Sequence, residues 1–393
     1  MKSIILKKGR ESSLLRKHPW VFSGAIDRVT GDPGFGETIC ILDNKQNFLA
    51  QGAWSPESQI SARVWSFDEH ATINTDFFRE LIHCAITRRS HLEANAKRSA
   101  YRLIYGESDN LPGLVVDRYN DFLVCQFLTA GVESWRNSII ELLSELISCT
   151  GIYERSDVAS RRKEGLDDST GVLWGEAPPT NFVIREYDYQ LGVNIATGHK
   201  TGYYLDQADN RHFLSTISTG KTVLNCFSYT GGFSVSALKG GATDVINVDS
   251  SAAALAMAEE NLHNNGFSPG QYSTINANVF ELLREFRQDQ RQFDIVILDP
   301  PKFGRGPDGE VWRLEEGLPA LVSDCRQLLD ADSRFLFLTV YAVRMSSLAL
   351  GGLLDEVFAG LPGKIEHGDL AVQEDGSGRL LPTAIFARWS NPR

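Results

Sequence analysis

The pattern of apolar and polar residues changes twice along the chain. Over residues 1–70, four short apolar runs are separated by turn-rich pieces such as GDPGFGE and DNKQN; the runs are SIIL, ETICILD, FLAQGAW and SARVWSF. Apolar runs of this length, broken by Gly, Pro and Asn, predict short strands, and their close spacing favours a small β-barrel or sandwich. We therefore predict a small β domain at the start of the chain.

A mixed pattern follows over residues 71–185. Residues 72–95 carry apolar side chains at helical spacing, and Asn74 or Thr75 is the predicted N-cap. Three strand candidates come next, YRLIYGE, GLVVDRY and DFLVCQFL, and then a helix candidate, VESWRNSIIELLSELI. Helices and strands in this order predict a central α+β domain.

Strands and helices alternate over residues 186–393. The strand candidates are TVLNCF, TDVINVD, YSTINAN, FDIVILD and RFLFLTV. The helix candidates between them are FSVSALKGG, SAAALAMAEENLHNNG, VFELLREFRQ and LPALVSDCRQLLD. This alternation predicts an α/β fold with a doubly wound, Rossmann-like parallel sheet. Such sheets bind ligands at the carboxyl ends of their strands.

Composition narrows the class of protein. Apolar residues make up 42% and charged residues 23% of the chain, as in soluble globular proteins. The six cysteines form no CxxC pair, which disfavours a disulfide framework and fits the cytoplasm. No apolar run approaches the roughly 18 residues that a membrane helix needs. We therefore predict a cytoplasmic protein without a membrane partner, and the eight isolated histidines predict no metal site.

Basic residues are clustered although the net charge is −11. The overall charge disfavours nonspecific adhesion to nucleic acid, but local clusters favour a polyanionic partner. The alternative is that each cluster is a solvated face. The three clusters are Lys2, Lys7, Lys8, Arg10, Arg16 and Lys17; Arg88, Arg89, Lys97, Arg98 and Arg102; and Arg161, Arg162 and Lys163.

A glycine loop follows the first strand of the α/β region. The loop FSYTGG lies between the strand VLNC and a predicted helix, and its two glycines, Gly231 and Gly232, let the backbone pass close to a ligand. It lacks the GxGxxG pattern that suits a pyrophosphate. The loop is therefore either a tight turn or the site of a cofactor without phosphates.

Polar residues end the next two strands. Asp249 is placed to accept hydrogen bonds from ribose hydroxyls, or to cap the helix predicted over 251–264. Asn276 or Asn278 is placed to meet an adenine edge. Asp249 suits the ribose of an adenosine, whereas the neighbouring glycine loop is unsuited to a pyrophosphate. Together they predict S-adenosylmethionine rather than NAD as the cofactor.

The fourth strand ends in ILDPPKFG, residues 297–304. Two prolines cannot continue a strand ladder, but they present their carbonyls in a stiff geometry. We predict that Asp299 and the carbonyls of Pro300 and Pro301 accept N–H groups from a planar base that stacks on Phe303. Methyl transfer then requires the nucleophile to be held in line with the methyl carbon. Lys302 either contacts a phosphate or forms a salt bridge within the loop.

Several motifs follow one another in a recognisable order: RKHPWVFSGAI (16–26), YGESDNLPGLVVDRYND (105–121), GHKTGYYLDQADNR (198–211), CFSYTGGFSVSALKGGA, VDSSAAAL and LDPPKFG. In this order they resemble the bacterial S-adenosylmethionine-dependent 23S (large-subunit) ribosomal RNA methyltransferases that carry an N-terminal PUA domain. The resemblance covers nearly the whole chain.

The resemblance implies a PUA-like RNA-binding domain over 1–70, a linking domain over 71–185 and a class I methyltransferase domain over 186–393. It implies large-subunit ribosomal RNA as the substrate, and a homodimer is compatible with it. The cofactor contacts expected by this resemblance are Tyr203, Asp206, Phe227, Ser228, Tyr229, Thr230, Gly231, Gly232, Asp249, Ser250, Asn278 and Asp299.

The sequence departs from the family pattern at two places. Asn278 stands where the family usually has an acid. Cytosine-C5 members place a catalytic cysteine after the fifth strand, where this chain reads FLTVYAVRMSS (337–347). Attack on C6 of cytosine requires a thiolate, which Tyr341 cannot replace. Cys226 and Cys325 lie in apolar contexts and are predicted to be core residues.

We therefore predict methylation without a covalent intermediate, at a base nitrogen, with guanine the first choice of base. Alternatives are a cytosine-C5 ribosomal RNA methyltransferase, a catalytically degenerate protein that binds the cofactor and RNA during ribosome assembly, a DNA amino-methyltransferase and a nicotinamide-dependent oxidoreductase. The absence of GxGxxG weighs against the last of these.

Overall fold

The computed structural model describes residues 2–94, 97–305, 311–329, 334–341, 345–373 and 380–391. These residues form two compact units. The first comprises residues up to 182 together with 193–203, and the second comprises 183–192 together with 204–373 and 380–391.

The first unit begins with a six-stranded sheet in the order β2-β6-β5-β4-β1-β3. The four strands expected from the sequence are all present, whereas the pattern does not predict the short β2 or β3. Ile4, Ile41 and Val64 belong to the apolar core of this sheet. Its strands are β1 (Ser3–Leu6), β2 (Trp20–Phe22), β3 (Ile26–Thr30), β4 (Thr38–Leu42), β5 (Phe48–Trp54) and β6 (Ile60–Ser66).

A second sheet in this unit has five strands in the order β11-β10-β9-β8-β7. Strands β7 to β9 confirm the sequence prediction, and β10 and β11 were not indicated by the apolar pattern. Strand β9 is buried on both faces, which explains its continuous apolar run. The strands are β7 (Ala100–Tyr105), β8 (Leu114–Tyr119), β9 (Phe122–Phe127), β10 (Gly151–Arg155) and β11 (Thr170–Gly175).

Helices of the first unit are short except for α2 and α5. Of the two N-cap candidates for α2, Asn74 is the cap, because its side chain accepts a hydrogen bond from the Phe77 N–H at 3.0 Å. Short 3-10 turns lie at Ser23–Ala25 and Gly106–Asp109. The helices are α1 (Ser12–Leu15), α2 (Thr75–Arg88), α3 (Ser90–Ala94), α4 (Ala130–Ser134), α5 (Arg136–Leu146) and α6 (Ala159–Arg162).

The second unit is built on a seven-stranded sheet in the order β16-β15-β14-β17-β20-β22-β21. The pairs among β14 to β17 and β20 are parallel, and β22 runs antiparallel to β20 and β21. The five predicted strands are confirmed and lie next to one another. The sheet comprises β14 (Thr222–Cys226), β15 (Asp244–Asp249), β16 (Tyr272–Asn276), β17 (Ile295–Leu298), β20 (Arg334–Val340), β21 (Lys364–Gln373) and β22 (Leu380–Asn391).

Two hairpins and six helices complete the elements described for this part of the chain. The hairpins pair β12 (Phe182–Glu186) with β13 (Tyr189–Val193) and β18 (Phe303–Arg305) with β19 (Val311–Arg313). A 3-10 turn at Leu205–Gln207 precedes α7. The helices are α7 (Ala208–Ile217), α8 (Gly232–Lys239), α9 (Ala252–Asn264), α10 (Val279–Gln288), α11 (Leu314–Arg326) and α12 (Ser347–Val357).

Helices α10, α11 and α12 contribute apolar residues to one large core. Leu283 of α10, Leu318 of α11 and Leu354 of α12 join Val296 and Leu338 of the sheet in this core. Because the core fixes the strands, the residues that leave their carboxyl ends have defined positions. None of the helices in the described part of the chain combines the length and apolar character needed to cross a bilayer.

Candidate active site

The register of three parallel strands brings the predicted site residues together. Cys226 of β14 lies opposite Val248 of β15 on one side and Leu298 of β17 on the other. The residues that follow these three are Phe227, Asp249 and Asp299, respectively. All three therefore lie at the same edge of the sheet. The glycine loop thus starts between the two acids.

Unusual backbone conformations shape the glycine loop. Phe227 and Tyr229 have φ values of 58° and 48°, which aromatic residues rarely adopt. Gly231 has φ 74°, and a Cβ built on it would lie 2.8 Å from the Ala258 Cβ, so the position requires glycine for two reasons. Such strain persists only where the surroundings enforce it, and it is concentrated at functional sites.

The Asp249 carboxylate holds this loop. Its oxygens accept hydrogen bonds from the Tyr229 N–H and the Ser251 N–H, both at 2.9 Å. The side chain that caps α9 is Ser251, which accepts from the Ala254 N–H at 3.2 Å. Asp249 is therefore not the N-cap of this helix. Ser250 is exposed beside it.

The two asparagines at the end of the third strand form hydrogen bonds within the protein. Asn278 is the N-cap of α10, and its side-chain oxygen accepts from the Phe280 N–H at 3.0 Å. Asn276 is exposed and donates to the Asp249 carbonyl at 3.1 Å. An aspartate at 278 would cap equally well, so the amide keeps the fold while removing one negative charge.

Tyrosine rings lie among the strand-end residues. The Tyr204 ring is 5.7 Å from the Tyr229 ring and 5.6 Å from the Tyr341 ring, measured between centroids. The Tyr341 hydroxyl donates to Asp206 Oδ1 at 3.0 Å and accepts from Gln207 Nε2 at 3.1 Å. Sequence reasoning did not place Tyr204 or Gln207 in the site, although both lie in the motif GHKTGYYLDQADNR.

The electrostatics of this cluster are acidic. Burial raises the pKa of Tyr204, and the carboxylates of Asp299, Asp206 and Asp249 and the Tyr229 hydroxyl raise it further. Burial, followed by Asp206 and Asp299, raises the pKa of Tyr341 well above its usual value. Both phenols are therefore neutral at physiological pH. Asp206 and Asp299 raise the pKa of both tyrosines, whereas Asp249 raises that of Tyr204.

These residues fit S-adenosylmethionine. Three carboxylates and several aromatic rings form a suitable environment for a sulfonium cation. The hydroxyl oxygens of Ser228 and Thr230 in the glycine loop are buried and have no hydrogen-bond partner among the described residues. Buried polar atoms of this kind are normally satisfied, so a ligand here would supply what the chain does not.

Tyr203 differs from the other predicted cofactor residues. It belongs to the first unit, its side chain is buried, and its N–H donates to the Tyr119 hydroxyl at 3.1 Å. The ring that lies beside Tyr229 and Tyr341 is that of the following residue, Tyr204.

Solvent exposure varies along residues 299–303, which form the diproline corner. Pro300 is buried, Asp299 is half-buried, and Pro301, Lys302 and Phe303 are exposed. Phe303 exposes 53% of its surface, as a platform for a base requires.

A tryptophan that sequence reasoning missed holds this corner. The Pro301 carbonyl accepts a hydrogen bond of 2.7 Å from the indole N–H of Trp312. The Lys302 carbonyl accepts from the Leu314 N–H at 3.1 Å. The corner is thus tied to β19 and to the start of α11.

The two cysteines near the sheet are core residues, as predicted. Cys226 exposes 1% and Cys325 0% of its surface. Burial raises the pKa of Cys325 well above its ordinary value, which disfavours the thiolate that a nucleophile needs. The segment 337–347 is described only in part, because residues 342–344 lie outside the described residues.

Residues of all three basic clusters form ion pairs, including Lys2 of the first cluster, which pairs with Glu37 at 2.7 Å. Arg89 is fully buried in a bidentate pair with Asp109, Arg102 pairs with Asp117, and the buried Arg161 pairs with Glu133. These arginines are not the free cationic surface that the sequence suggests. In the first cluster the side chains of Lys7, Lys8, Arg10, Arg16 and Lys17 are exposed.

No group of three or more His, Cys, Asp or Glu side chains in the described ranges is arranged to hold a metal ion.

Two segments of the chain match known protein families. Residues 150–329 match the S-adenosylmethionine-dependent methyltransferase family, and residues 4–67 match the PUA-like domain. The seven-stranded sheet with its glycine loop is the class I methyltransferase fold, with S-adenosylmethionine as the cofactor.

Solved structures support this fold. A chain described as a SAM-dependent methyltransferase from Streptococcus mutans superposes with a TM-score of 0.81 at 22% identity, covering 99% of this chain and 100% of that one. A SAM-dependent methyltransferase from Agrobacterium tumefaciens gives a TM-score of 0.60 at 25% identity, covering 75% of this chain and 90% of that one.

Curated relatives are more similar in sequence. Ribosomal RNA large subunit methyltransferase I of Photobacterium profundum is 52% identical over 302 residues, which is 77% of this chain and 76% of that protein. The protein of the same name from Vibrio vulnificus is 44% identical over 357 residues, 90% of this chain and 87% of that protein. This chain therefore belongs to the ribosomal RNA large subunit methyltransferase I family of S-adenosylmethionine-dependent methyltransferases.

Proposed function

We propose that this protein methylates a base of large-subunit ribosomal RNA. The observation that carries the proposal is the edge of the sheet where Asp249, the glycine loop and Asp299 emerge side by side. This edge supplies a cofactor site and an acceptor corner next to each other, in a chain whose relatives are named for that reaction.

We propose that the cofactor is held by the strand-end residues. Asp249 accepts hydrogen bonds from the ribose hydroxyls. The glycine loop, with its unpartnered hydroxyls, lines the adenosyl group. Asp206 and Asp299 face the sulfonium. Tyr204 supplies the aromatic ring in place of the buried Tyr203. The proposed set comprises Tyr204, Asp206, Phe227, Ser228, Tyr229, Thr230, Gly231, Gly232, Asp249, Ser250, Asn278 and Asp299.

S-adenosylmethionine supplies an activated methyl group, so the protein has little proton chemistry to perform. In our proposal Asp299 and the Pro300 carbonyl accept N–H groups from the target base and orient its nucleophilic atom. Phe303 stacks on the base, and Lys302 contacts the phosphate backbone. The Pro301 carbonyl, which is bonded to Trp312, keeps the corner rigid.

We propose that no covalent intermediate with the enzyme is formed. Tyr341 follows the fifth parallel strand, at the position where cytosine-C5 enzymes have their cysteine. Its hydroxyl is hydrogen-bonded to Asp206 and Gln207. Cys226 and Cys325 are buried in the core. A base nitrogen, which attacks a methyl group without a thiolate, is therefore the preferred acceptor, and guanine is the preferred base.

The experiment is mass spectrometry of large-subunit ribosomal RNA from a strain that lacks the gene. Loss of a methylated purine would support the proposal, whereas loss of 5-methylcytosine would replace it with the cytosine-C5 alternative. Calorimetric titration with S-adenosylmethionine provides a second readout. Cofactor binding with no change in the RNA of the deletion strain would favour a degenerate RNA-binding protein.

We also propose a division of labour along the chain. Residues 1–70 form a PUA-like domain that docks RNA, residues 71–185 a linking domain, and residues 186–393 the methyltransferase domain. The exposed lysines and arginines of the first 17 residues suit a phosphate backbone. We propose a cytoplasmic location, where the substrate is made, and a homodimer, which light scattering would test.

A further inference from the structure

Trp312 connects the diproline corner to the glycine loop. Its indole N–H donates to the Pro301 carbonyl at 2.7 Å, and its ring packs on Phe280 with centroids 4.5 Å apart. Phe280 packs in turn on Phe227, the first residue of the glycine loop, at 5.8 Å. A continuous row of three aromatic rings therefore joins the cofactor loop to the acceptor corner.

The backbone of Phe280 and of Phe227 and the indole ring of Trp312 are each constrained by their surroundings. The Phe280 N–H is capped by Asn278, and Phe227 has the unusual φ of 58°. The indole lies directly on Gly317 of α11, where a Cβ would be 2.0 Å from a carbon of the ring. Glycine at 317 is thus required for the indole to occupy its position.

The corner depends on such a contact because of its own chemistry. Prolines fix φ but offer no N–H, so Pro300 and Pro301 can be tied to the fold only through their carbonyls and side chains. The indole N–H is a donor only, so the direction of its hydrogen bond is unambiguous. This bond fixes the peptide plane between Pro301 and Lys302, directly before Phe303.

We infer that Trp312 is a positioning residue for methyl transfer, which holds the diproline corner in register with the glycine loop. The inference rests on the proposed function, because the corner matters only if it receives the methyl acceptor. Trp312 itself contacts neither the base nor the cofactor in this account. Its effect is expected in kcat, since a misplacement of about 1 Å at a reacting centre can cost on the order of a hundredfold in rate.

The first test is Trp312→Phe, which keeps a ring and removes the N–H. Methyl transfer is measured with radiolabelled S-adenosylmethionine and ribosomal RNA from a strain lacking the gene. We expect kcat to fall on the order of tenfold or more, while the Kd for S-adenosylmethionine is unchanged. Trp389→Phe is the matched control for lost stability, because Trp389 is buried in the same unit and stacks on Phe358 at 4.3 Å. It should lower the Tm and leave kcat unchanged.

The second test moves the indole without altering it. Gly317→Ala places a Cβ inside the present ring position, so the ring must shift, while alanine favours the helix. The matched control is Gly352→Ala in α12, where a Cβ meets nothing within 4 Å. We expect Gly317→Ala to lower kcat as Trp312→Phe does, and Gly352→Ala to behave as the unchanged protein.

Two results would overturn the inference. One is a normal kcat in both Trp312→Phe and Gly317→Ala. The other is an equal loss of kcat in Trp389→Phe, which would reduce Trp312 to a stabilising role. Failure of the unchanged protein to methylate this RNA would instead refute the proposed function, and the inference would fall with it.

Discussion

A buried ion pair of the first unit and the carboxylates of the candidate active site in the second unit bind different partners. In the first unit, Arg89 and Asp109 are fully buried and bind each other through two hydrogen bonds of 2.5 and 2.9 Å. In the second unit, Asp249 accepts backbone N–H groups and Asp206 accepts a tyrosine hydroxyl. A carboxylate paired with a guanidinium has its charge neutralised, whereas one bonded to neutral donors keeps its charge for a ligand.

The comparison shows why a cluster of charges in a sequence is ambiguous. An aspartate in the sequence can belong to a buried ion pair, as Asp109 does, or to the candidate active site, as Asp249 and Asp299 do. Mutations should distinguish the two kinds of carboxylate. Those in buried ion pairs support stability, whereas those at the candidate active site support cofactor binding and the rate of methyl transfer.

The largest effect is expected for Asp109→Ala. Removing this carboxylate leaves Arg89 buried without its counter-charge, and it also removes the acceptor of the Tyr105 N–H. We expect a loss of about 3–5 kcal/mol in the free energy of unfolding, measured by urea denaturation.

The control for this substitution is Asp168→Ala, which breaks an exposed pair with Arg162 and should change stability little. Equal effects of the two substitutions would contradict the distinction between buried and exposed pairs. At temperatures where the Asp109→Ala protein is folded, its Kd for S-adenosylmethionine should be unchanged.

The next effect is expected for Asp299→Asn. The amide keeps the shape of the side chain but loses the charge and one acceptor site at the corner. We expect kcat for methyl transfer to fall on the order of a hundredfold, with a normal urea midpoint. A substantial loss of stability with normal kcat would place Asp299 with the structural carboxylates of the first unit.

A smaller effect is expected for Asp249→Asn. The substitution keeps an oxygen for one backbone N–H but removes the negative charge that we assign to the ribose. Calorimetry should show the Kd for S-adenosylmethionine rising about tenfold, equivalent to about 1.4 kcal/mol. An unchanged Kd would show that Asp249 does not bind the cofactor and serves only to fix the Tyr229 backbone.

The smallest effect is expected for Asn278→Asp. Aspartate caps a helix as well as asparagine does, and its charge is favourable at the N-terminus of α10. We expect the Kd for S-adenosylmethionine to fall a few-fold while stability is maintained. Asn278→Ala provides the contrast, since it should cost about 1 kcal/mol of stability through the lost cap. Tighter binding in the alanine variant would show that the side chain hinders the cofactor.

The apolar pattern predicts five strands and four helices of the α/β region, but it does not predict β21, β22, α7 or α12. Helix α10 (Val279–Gln288) has the bounds that its apolar spacing predicts, and the N-cap of α2, Asn74, is one of the two candidates that the sequence offers. Strand periodicity, caps and glycine turns depend on residues that are near one another in the chain, so they can be inferred locally.

Contacts between side chains that are distant in sequence follow from the tertiary structure. Tyr341 donates to Asp206, 135 residues away, and the Trp312 indole reaches the Pro301 carbonyl across a hairpin. Tyr204 rather than Tyr203 lies among the strand-end rings. Such contacts depend on strand register and core packing, which bring distant segments together and which no local pattern specifies.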